Sequence, residues 1–227
     1  MAADRSSTHS LTLERGLRVL SVLAERPDGL TVSELAKAMG THRAGTYRLL
    51  GPLAEQRLVS RAAGGRYVLG LGLVELASHV RPRLQEVATP VLRELADQVR
   101  ATTALTVRDG DEAVVLTVLE PRNTHMHLAY RPGLRHPVSV AAPGIALLAS
   151  EPPRPGERPA VTEARRRGWA VSTSELLHGA TGIGVAIRTS LTPADAAISA
   201  VWVDDRDPAS AASAVIEAAR CIAAALR

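Results

Sequence analysis

The hydrophobic positions near the start of the chain recur at the spacing of an α-helix. A first helix is predicted to carry an inward-facing stripe, formed by Leu13, Leu17, Leu20 and Leu23 and widened by Val19 and Val22. A second helix is predicted over residues 32–39. Thr31 stands as its N-cap, Glu34 follows at the capping-box spacing, and Gly40 can end the helix in a left-handed conformation. The pattern therefore predicts two helices that are joined by a turn.

A third helix and a β-hairpin complete this segment. The helix is predicted from about His42 to Gln56, and Pro52 is expected to kink it or to shorten its regular part. Residues 58–70 then alternate in polarity around an Ala-Ala-Gly-Gly turn, which is typical of a hairpin. Three helices followed by a hairpin is the order of elements in a winged helix-turn-helix domain.

The rest of the chain first keeps a helical pattern and then changes to a period of two. Residues 71–101 are predicted to form connector and dimerisation helices, with interruptions at Pro82 and Pro90. Residues 208–227 are predicted to form an amphipathic terminal helix. Strands are predicted at 105–110, 112–120, 124–130, 169–173, 183–191 and 196–203, and further helices at 142–150 and 162–167.

Together these elements predict the α+β fold class, with an N-terminal winged helix-turn-helix, a connector, and a C-terminal domain built on an antiparallel-dominated sheet flanked by helices. The predicted boundaries are a flexible N-terminus at 1–10, the winged helix domain at 11–70, the connector at 71–101 and the sheet domain at 102–227.

The distribution of charge adds a functional expectation. The net charge is +4, and residues 1–70 contain ten Lys or Arg against six Asp or Glu. The rest of the chain is balanced, with eight of each sign in residues 71–150 and nine of each in residues 151–227. The excess positive charge therefore lies in the predicted winged helix domain, where it favours an anionic partner.

The composition predicts a folded cytoplasmic protein. Hydrophobic residues make up 46% of the chain, yet no uncharged apolar run is long enough to cross a membrane. The N-terminus is polar and lacks the apolar segment of a secretory signal. The single cysteine, Cys221, excludes an intramolecular disulfide framework and fits a reducing compartment.

In a helix-turn-helix the second helix enters the major groove of double-stranded DNA, and its first residues reach the base edges. The residues predicted to meet bases are His42, Arg43, Ala44, Thr46 and Tyr47. Thr41 as N-cap and Arg48 are predicted to contact phosphates, and the hairpin residues Arg61 and Arg66 are predicted to contact the DNA backbone or the minor groove. Thr31 and Ser33, at the start of the preceding helix, are further candidates for DNA contacts. Any one of these arginines can equally be a solvated side chain. The ordered set of capped helix, glycine turn, polar helix and basic hairpin favours DNA binding.

Residues 13–73 resemble the winged helix module of the IclR-type bacterial transcriptional regulators. The resemblance continues in HPVSVAAPGIALLA, and again in RRRGWAVSTSELLHGATGIGVAI, where Gly168, Ser172 and Glu175 stand at the spacing of the family signature. The resemblance implies a GAF-like C-terminal domain that binds a small organic acid or aromatic effector. It also implies homodimers, or dimers of dimers, that repress transcription from near-palindromic operators.

The resemblance also implies an effector site, for which the candidate residues are Ala141, Ala142, Gly144, Ile145, Ser172, Glu175 and Gly182. Backbone N–H groups at the start of the helix near Ala142 could form an anion site there. Close packing of helix on sheet is the other interpretation of the small residues. Ile145 and Gly182 depart from the family pattern, and the segment between Ser150 and Arg165 is shortened. The alternative function is therefore a constitutive regulator whose C-terminal domain serves only for oligomerisation.

The sequence contains no arrangement that predicts catalysis. There is no Ser-His-Asp order, paired carboxylates or nucleotide motif, so we expect neither an enzyme nor a cofactor. His125 and His127 share one face of a predicted strand, but no third metal ligand stands at a recognisable spacing. We therefore predict no metal site.

Overall fold

The computed structural model describes residues 10–123, 128, 130–189 and 193–227. The chain divides into two compact units, Met1–Arg81 and Pro82–Arg227. The first contains helices and a small hairpin, and the second contains helices and a six-stranded sheet, so the predicted α+β class is confirmed. Within the described residues, no helix combines the length and the apolar character that crossing a bilayer requires.

The N-terminal unit has the predicted order of three helices followed by a hairpin. Its elements are α1 (Leu11–Ala24), α2 (Val32–Met39), α3 (Arg43–Glu55), β1 (Val59–Arg61), β2 (Tyr67–Leu69) and α4 (Gly72–Ser78). The buried side chains that hold it together are Val19, Leu23, Val32, Leu35, Met39, Leu50 and Val59. The capping box is present as predicted, with Thr31 accepting from the Glu34 N–H and Glu34 accepting from the Thr31 N–H. Pro52 lies within α3 and does not end it.

The buried face of α1 differs from the predicted leucine stripe. Leu13 and Leu17 are exposed, whereas Gly16, Val19 and Leu23 are buried. Apolar residues on this helix cover more than one face, so periodicity alone did not select the side that packs on α2 and α3. The prediction of Leu13 and Leu17 as core residues was wrong.

The C-terminal unit is built on an antiparallel sheet with strand order β5-β4-β3-β8-β7-β6. The strands are β3 (Thr102–Asp109), β4 (Glu112–Leu119), β5 (Arg135–Pro137), β6 (Ala170–Thr173), β7 (Thr181–Ala186) and β8 (Ala196–Trp202). The strand predicted at 124–130 falls largely outside the described residues, as do His125 and His127. The sheet edge beside β4 is formed by Arg135–Pro137, which the sequence did not predict.

The two faces of this sheet are covered differently. Helices α5 (Pro82–Val99) and α8 (Ala209–Ala225) pack on the face that carries Leu105, Ile183 and Ile198. Helix α6 (Ala141–Ala149) packs on the opposite face, and α7 (Pro159–Arg167) packs against α6.

Helix α5 belongs to the C-terminal unit and is not a free connector. It begins at Pro82 and runs through Pro90, so the interruption predicted at Pro90 was wrong. Its buried side chains, Leu84, Ala88, Leu92 and Leu95, join the core beneath the sheet. This packing stabilises the helix despite the hydrogen bond that a proline removes.

Candidate functional site

The turn between α2 and α3 is closed by backbone hydrogen bonds. Gly40 adopts φ 63°, and the Thr41 N–H donates to the Ala36 carbonyl at 2.9 Å. Because α3 begins at Arg43, its N-cap is His42, and no side chain caps it. The prediction of Thr41 as N-cap was therefore one residue early. The Thr41 N–H completes the C-terminal end of α2.

The start of α3 presents a basic, uncapped surface. His42, Arg43, Ala44 and Arg48 are exposed, and Tyr47 is 50% exposed. The first turn holds no acidic residue. Within the described chain, neither arginine has a carboxylate within ion-pair distance, so both guanidinium groups are available to a partner. The positive end of the helix dipole points the same way. This surface suits a polyanion.

Thr46 does not belong to that surface. Its side chain is fully buried, and its Oγ1 donates to the His42 carbonyl at 3.2 Å. It lies one turn before Leu50 on the inward face of α3, which is why it is covered. The prediction that Thr46 meets a base edge was wrong.

The two hairpin arginines have different environments. Arg61 is exposed at the end of β1. Arg66 folds back on the chain, where its Nε donates to the carbonyls of Asp28 and Gly29, each at 3.2 Å, and its Nη2 lies 3.2 Å from Glu34. The sequence predicted both residues as DNA contacts. The structure gives Arg66 an internal role that ties the hairpin to the turn before α2.

Backbone hydrogen bonds also connect the hairpin to the segment before α2. Leu30 and Tyr67 exchange hydrogen bonds of 3.0 and 2.7 Å, so residue 30 forms a single antiparallel β-bridge with the hairpin. Gly29 adopts φ 72°, and a Cβ on it would lie 2.5 Å from the Tyr67 carbonyl oxygen. Backbone and side-chain hydrogen bonds from Thr31 lower the pKa of Glu34, and Arg66 lowers it further. The hairpin is therefore held at a fixed angle to α2.

These environments predict different outcomes for the two arginines. Arg61→Ala is expected to weaken binding to all DNA sequences and to reduce the slope of log affinity against log salt by about one unit. Arg66→Ala is expected to lower the thermal stability of the N-terminal unit, because it removes three contacts to the preceding turn and to α2. Fluorescence anisotropy over a salt series and circular dichroism melting measure the two effects. A reduced slope with unchanged melting in Arg66→Ala would show that Arg66 binds DNA directly.

The first N–H groups of α6 are already bonded within the chain. The Ala141 N–H donates to Glu175 Oε2 at 3.0 Å, and the Ala142 N–H donates to Ser172 Oγ at 2.8 Å. Arg158 donates to Glu175 Oε1 at 2.8 Å, and this bond lowers the pKa of the Glu175 carboxyl. The ionised carboxylate of Glu175 therefore occupies the position that was predicted for an effector anion.

Backbone strain accompanies this contact. Ala141 adopts φ 62° and Ser174 adopts φ 57°, both in the left-handed region that side chains with a Cβ rarely enter. A strained non-glycine residue of this kind costs on the order of 1–2 kcal/mol and persists where its surroundings fix it. Here Glu175 and Ser172, which flank Ser174 in the chain, accept hydrogen bonds from the N–H groups of Ala141 and Ala142. These bonds fix the backbone at both strained residues.

Three other predicted effector residues are packing residues. Ile145 of α6 is fully buried, in the same apolar cluster as Val161 and Ala164 of α7. A Cβ on Gly144 would lie 2.3 Å from the Val138 carbonyl oxygen, so a glycine is required there. Gly182 faces α6, where its nearest neighbours include Ser172 and Ala142. Close helix–sheet packing explains these small residues, and the prediction that Ile145 lines a pocket was wrong.

A buried group of hydroxyls on the α6 face of the sheet was not predicted from the sequence. Thr106 and Ser199 are fully buried, and Tyr130 is 6% exposed. Burial raises the pKa of Tyr130, and the neighbouring hydroxyls of Thr106 and Ser199 partly offset this. Ser199 pairs with Gly184 across the sheet. Ser199, a polar residue in the otherwise apolar strand AAISAVWV, was the sequence feature that could have indicated this group. In the described part of the chain, no three His, Cys, Asp or Glu residues form a metal-binding group.

The chain matches two family models. The IclR helix-turn-helix domain matches residues 12–63, and the bacterial transcriptional regulator IclR C-terminal domain matches residues 77–160. The HTH-type transcriptional regulator Rv1719 of Mycobacterium tuberculosis is 34% identical over 67% of this chain and 60% of its own length. The HTH-type transcriptional regulator KipR of Bacillus subtilis is 32% identical over 62% of this chain and 56% of its own length. The chain thus aligns with little more than half of each of these relatives.

A solved structure extends the similarity to nearly the whole chain. The IclR homologue of Microbacterium hydrocarbonoxydans in complex with 4-hydroxybenzoate is 28% identical, with a TM-score of 0.82 over 95% of this chain and 99% of that one. The two matched domains occur in the order in which the two structural units occur. By sequence in both units and by fold over nearly its full length, this chain belongs to the IclR family of bacterial transcriptional regulators.

Proposed function

We propose that this protein is a sequence-specific DNA-binding regulator, acting as a cytoplasmic repressor on a near-palindromic operator. The observation that carries the proposal is the exposed start of α3, where Arg43 and Arg48 stand without carboxylate partners in the described residues beside a positive helix end. Arg43 has the geometry to donate to O6 and N7 of a guanine, and Arg48, one turn further on, suits a phosphate. His42, Ala44 and Tyr47 complete the base-reading set. Thr41 lies in the turn before α3, and Thr31 and Ser33 lie at the start of α2.

The protein is proposed to act as a homodimer or a dimer of dimers. Large apolar side chains are exposed on α1 and in and around α4, namely Leu11, Leu13, Leu17, Leu71, Val74, Leu76 and Val80. Exposed apolar surface of this extent is typical of contacts between chains. A dimer would present two α3 helices to two half-sites.

The C-terminal unit is proposed to bind a small organic acid or aromatic effector that changes operator affinity. Support comes from the buried hydroxyls of Thr106, Tyr130 and Ser199, which offer directional hydrogen bonds on the α6 face of the sheet. The related structure that contains 4-hydroxybenzoate is consistent with an aromatic acid.

A constitutive regulator is the second candidate, and one observation favours it. Glu175 and Ser172 already accept from the first N–H groups of α6, and Arg158 already pairs with Glu175. An anionic effector would have to displace this internal carboxylate before it could reach the helix end. If it cannot, the C-terminal unit serves oligomerisation alone.

Titration of the purified protein against the DNA upstream of its own gene tests both candidates. Affinity is measured against salt, with random DNA as the control, and with and without a panel of organic and aromatic acids. Selective binding that a compound shifts is the expected result. Selective binding that no compound shifts in wild type, but that shifts in Glu175→Gln, would mean that the internal carboxylate blocks the site. Equal affinity for operator and random DNA would contradict the proposed specificity.

A further inference from the structure

A second candidate ligand site lies at the β6 edge of the C-terminal sheet. Ala170, the first residue of β6, pairs with Gly184, so Val185 and Ala186 of β7 continue past the end of the edge strand. The space beside them is a cavity of about 380 Å³. This volume is at the small end of the range of ligand pockets, which suits a molecule of one or two rings.

The walls of the cavity are mainly apolar and come from three helices and a strand. The apolar lining residues are Ala146 and Ala149 of α6, Ala164 of α7, Val185 and Ala186 of β7, Ile216, Ala219 and Ala223 of α8, and Trp169. The short alanine side chains leave the space open, and the indole of Trp169 supplies an aromatic surface. Flat apolar molecules fit such a lining.

The polar part of the lining is cationic. Four arginines reach the cavity, and no Asp or Glu among the described residues lines it. Two of the four are neutralised, since Arg165 donates to Glu157 at 2.9 Å and Arg220 lies 3.5 Å from Glu217. The other two, Arg167 and Arg188, have no carboxylate within 4.0 Å among the described residues. Neither guanidinium is therefore held in an ion pair, and that of Arg167 is partly buried.

Arg167 is held in a fixed orientation. Its Nε donates to the Trp169 carbonyl at 2.8 Å, and its guanidinium carbon lies 3.8 Å from the centre of the Trp169 ring. Burial lowers the pKa of Arg167, yet a guanidinium remains protonated in proteins. With Nε engaged and the plane stacked on the indole, the terminal nitrogens remain to donate. Arg188 is exposed at the rim.

We propose that this cavity binds a small aromatic carboxylate, with its ring among the alanines and Trp169 and its carboxylate on Arg167. The site is separate from the start of α6, where Glu175 and Ser172 occupy the N–H groups. It depends on neither DNA binding nor the effector role proposed above. Residues 164–223 of its lining also lie outside the region matched by the family models.

Calorimetric titration of the whole protein with 2-naphthoate, without DNA, tests the site. Wild type is expected to bind, and the fluorescence of Trp169 is expected to change on binding. Arg167→Gln is expected to weaken binding about tenfold or more, because it removes a charge-assisted hydrogen bond. Arg167→Lys, which keeps the charge, is expected to recover part of the affinity. The uncharged 2-naphthylmethanol should bind wild type and Arg167→Gln alike.

Two further variants separate this site from general effects. Arg166→Gln is the matched control, since Arg166 pairs with Glu163 on the same helix and does not line the cavity. It should bind as wild type does. Ala149→Leu fills the cavity and keeps every charge, so it should also weaken binding. Absence of wild-type binding at millimolar 2-naphthoate overturns the proposal, as does equal affinity in wild type, Arg167→Gln and Ala149→Leu.

Discussion

Replacing Arg43 with alanine is expected to lower operator affinity by about 1–3 kcal/mol, or roughly 5–150-fold, and to relax the base preference at one position in each half-site. The loss follows from the position of Arg43 as the first residue of α3, exposed and without an ion pair in the described structure. A guanidinium there can donate two hydrogen bonds to one guanine, and alanine can donate none. Competition binding against operators with single substitutions measures the effect.

Arg48→Ala is the matched comparison, because Arg48 is exposed on the same helix one turn further on. It is expected to weaken binding to operator and random DNA by the same factor and to reduce the salt slope, as a phosphate contact should. If Arg43→Ala behaves in the same way, Arg43 contacts the backbone and the base-reading assignment is wrong.

The N-terminal unit was predicted well where the determining interactions are local. Thr31 and Glu34 are three residues apart, and Gly40 directly follows its helix, so sequence spacing alone specifies both ends of α2. The role of Arg66 could not be predicted in this way. Its partners Asp28 and Gly29 lie 38 and 37 residues earlier in the chain. From its position near a turn, Arg66 was predicted to be an exposed DNA contact. In the folded chain its guanidinium group instead donates to the carbonyls of Asp28 and Gly29.

In the C-terminal unit, too, contacts between residues far apart in the sequence could not be predicted. The resemblance pointed to Ser172 and Glu175, and the structure brings both to the start of α6, but as acceptors for the chain's own N–H groups. Thr106, Tyr130 and Ser199 lie on separate segments and meet only through strand pairing and the chain that covers the sheet. Their spacing in the sequence therefore could not predict that these three side chains lie close together. Arg167 and Trp169 are neighbours in sequence, but the cavity beside them depends on where β6 begins and on alanines of three helices.

Gly184→Ala is expected to lower the free energy of unfolding of the C-terminal unit by about 1–3 kcal/mol, as overpacking of a core does. A Cβ at this position would lie 2.5 Å from the Ala142 carbonyl oxygen and 2.8 Å from the Pro143 nitrogen. Both are backbone atoms at the start of α6, so neither can move aside by a rotamer change. The helix has to shift away from β7, and its contacts with Ser172 and Glu175 weaken with it.

Gly182→Ala is the matched control on the same strand and the same face. Its Cβ would meet Val201 at 3.6 Å, Ser172 at 3.7 Å and Ala142 at 3.8 Å, which are ordinary contacts. It should leave stability unchanged or raise it, because alanine loses less backbone entropy on folding than glycine. Both tryptophans lie in the C-terminal unit, so urea denaturation followed by tryptophan fluorescence reports on this unit. Equal stability of the two variants would mean that α6 does not pack as closely against β7 at Gly184 as these distances require.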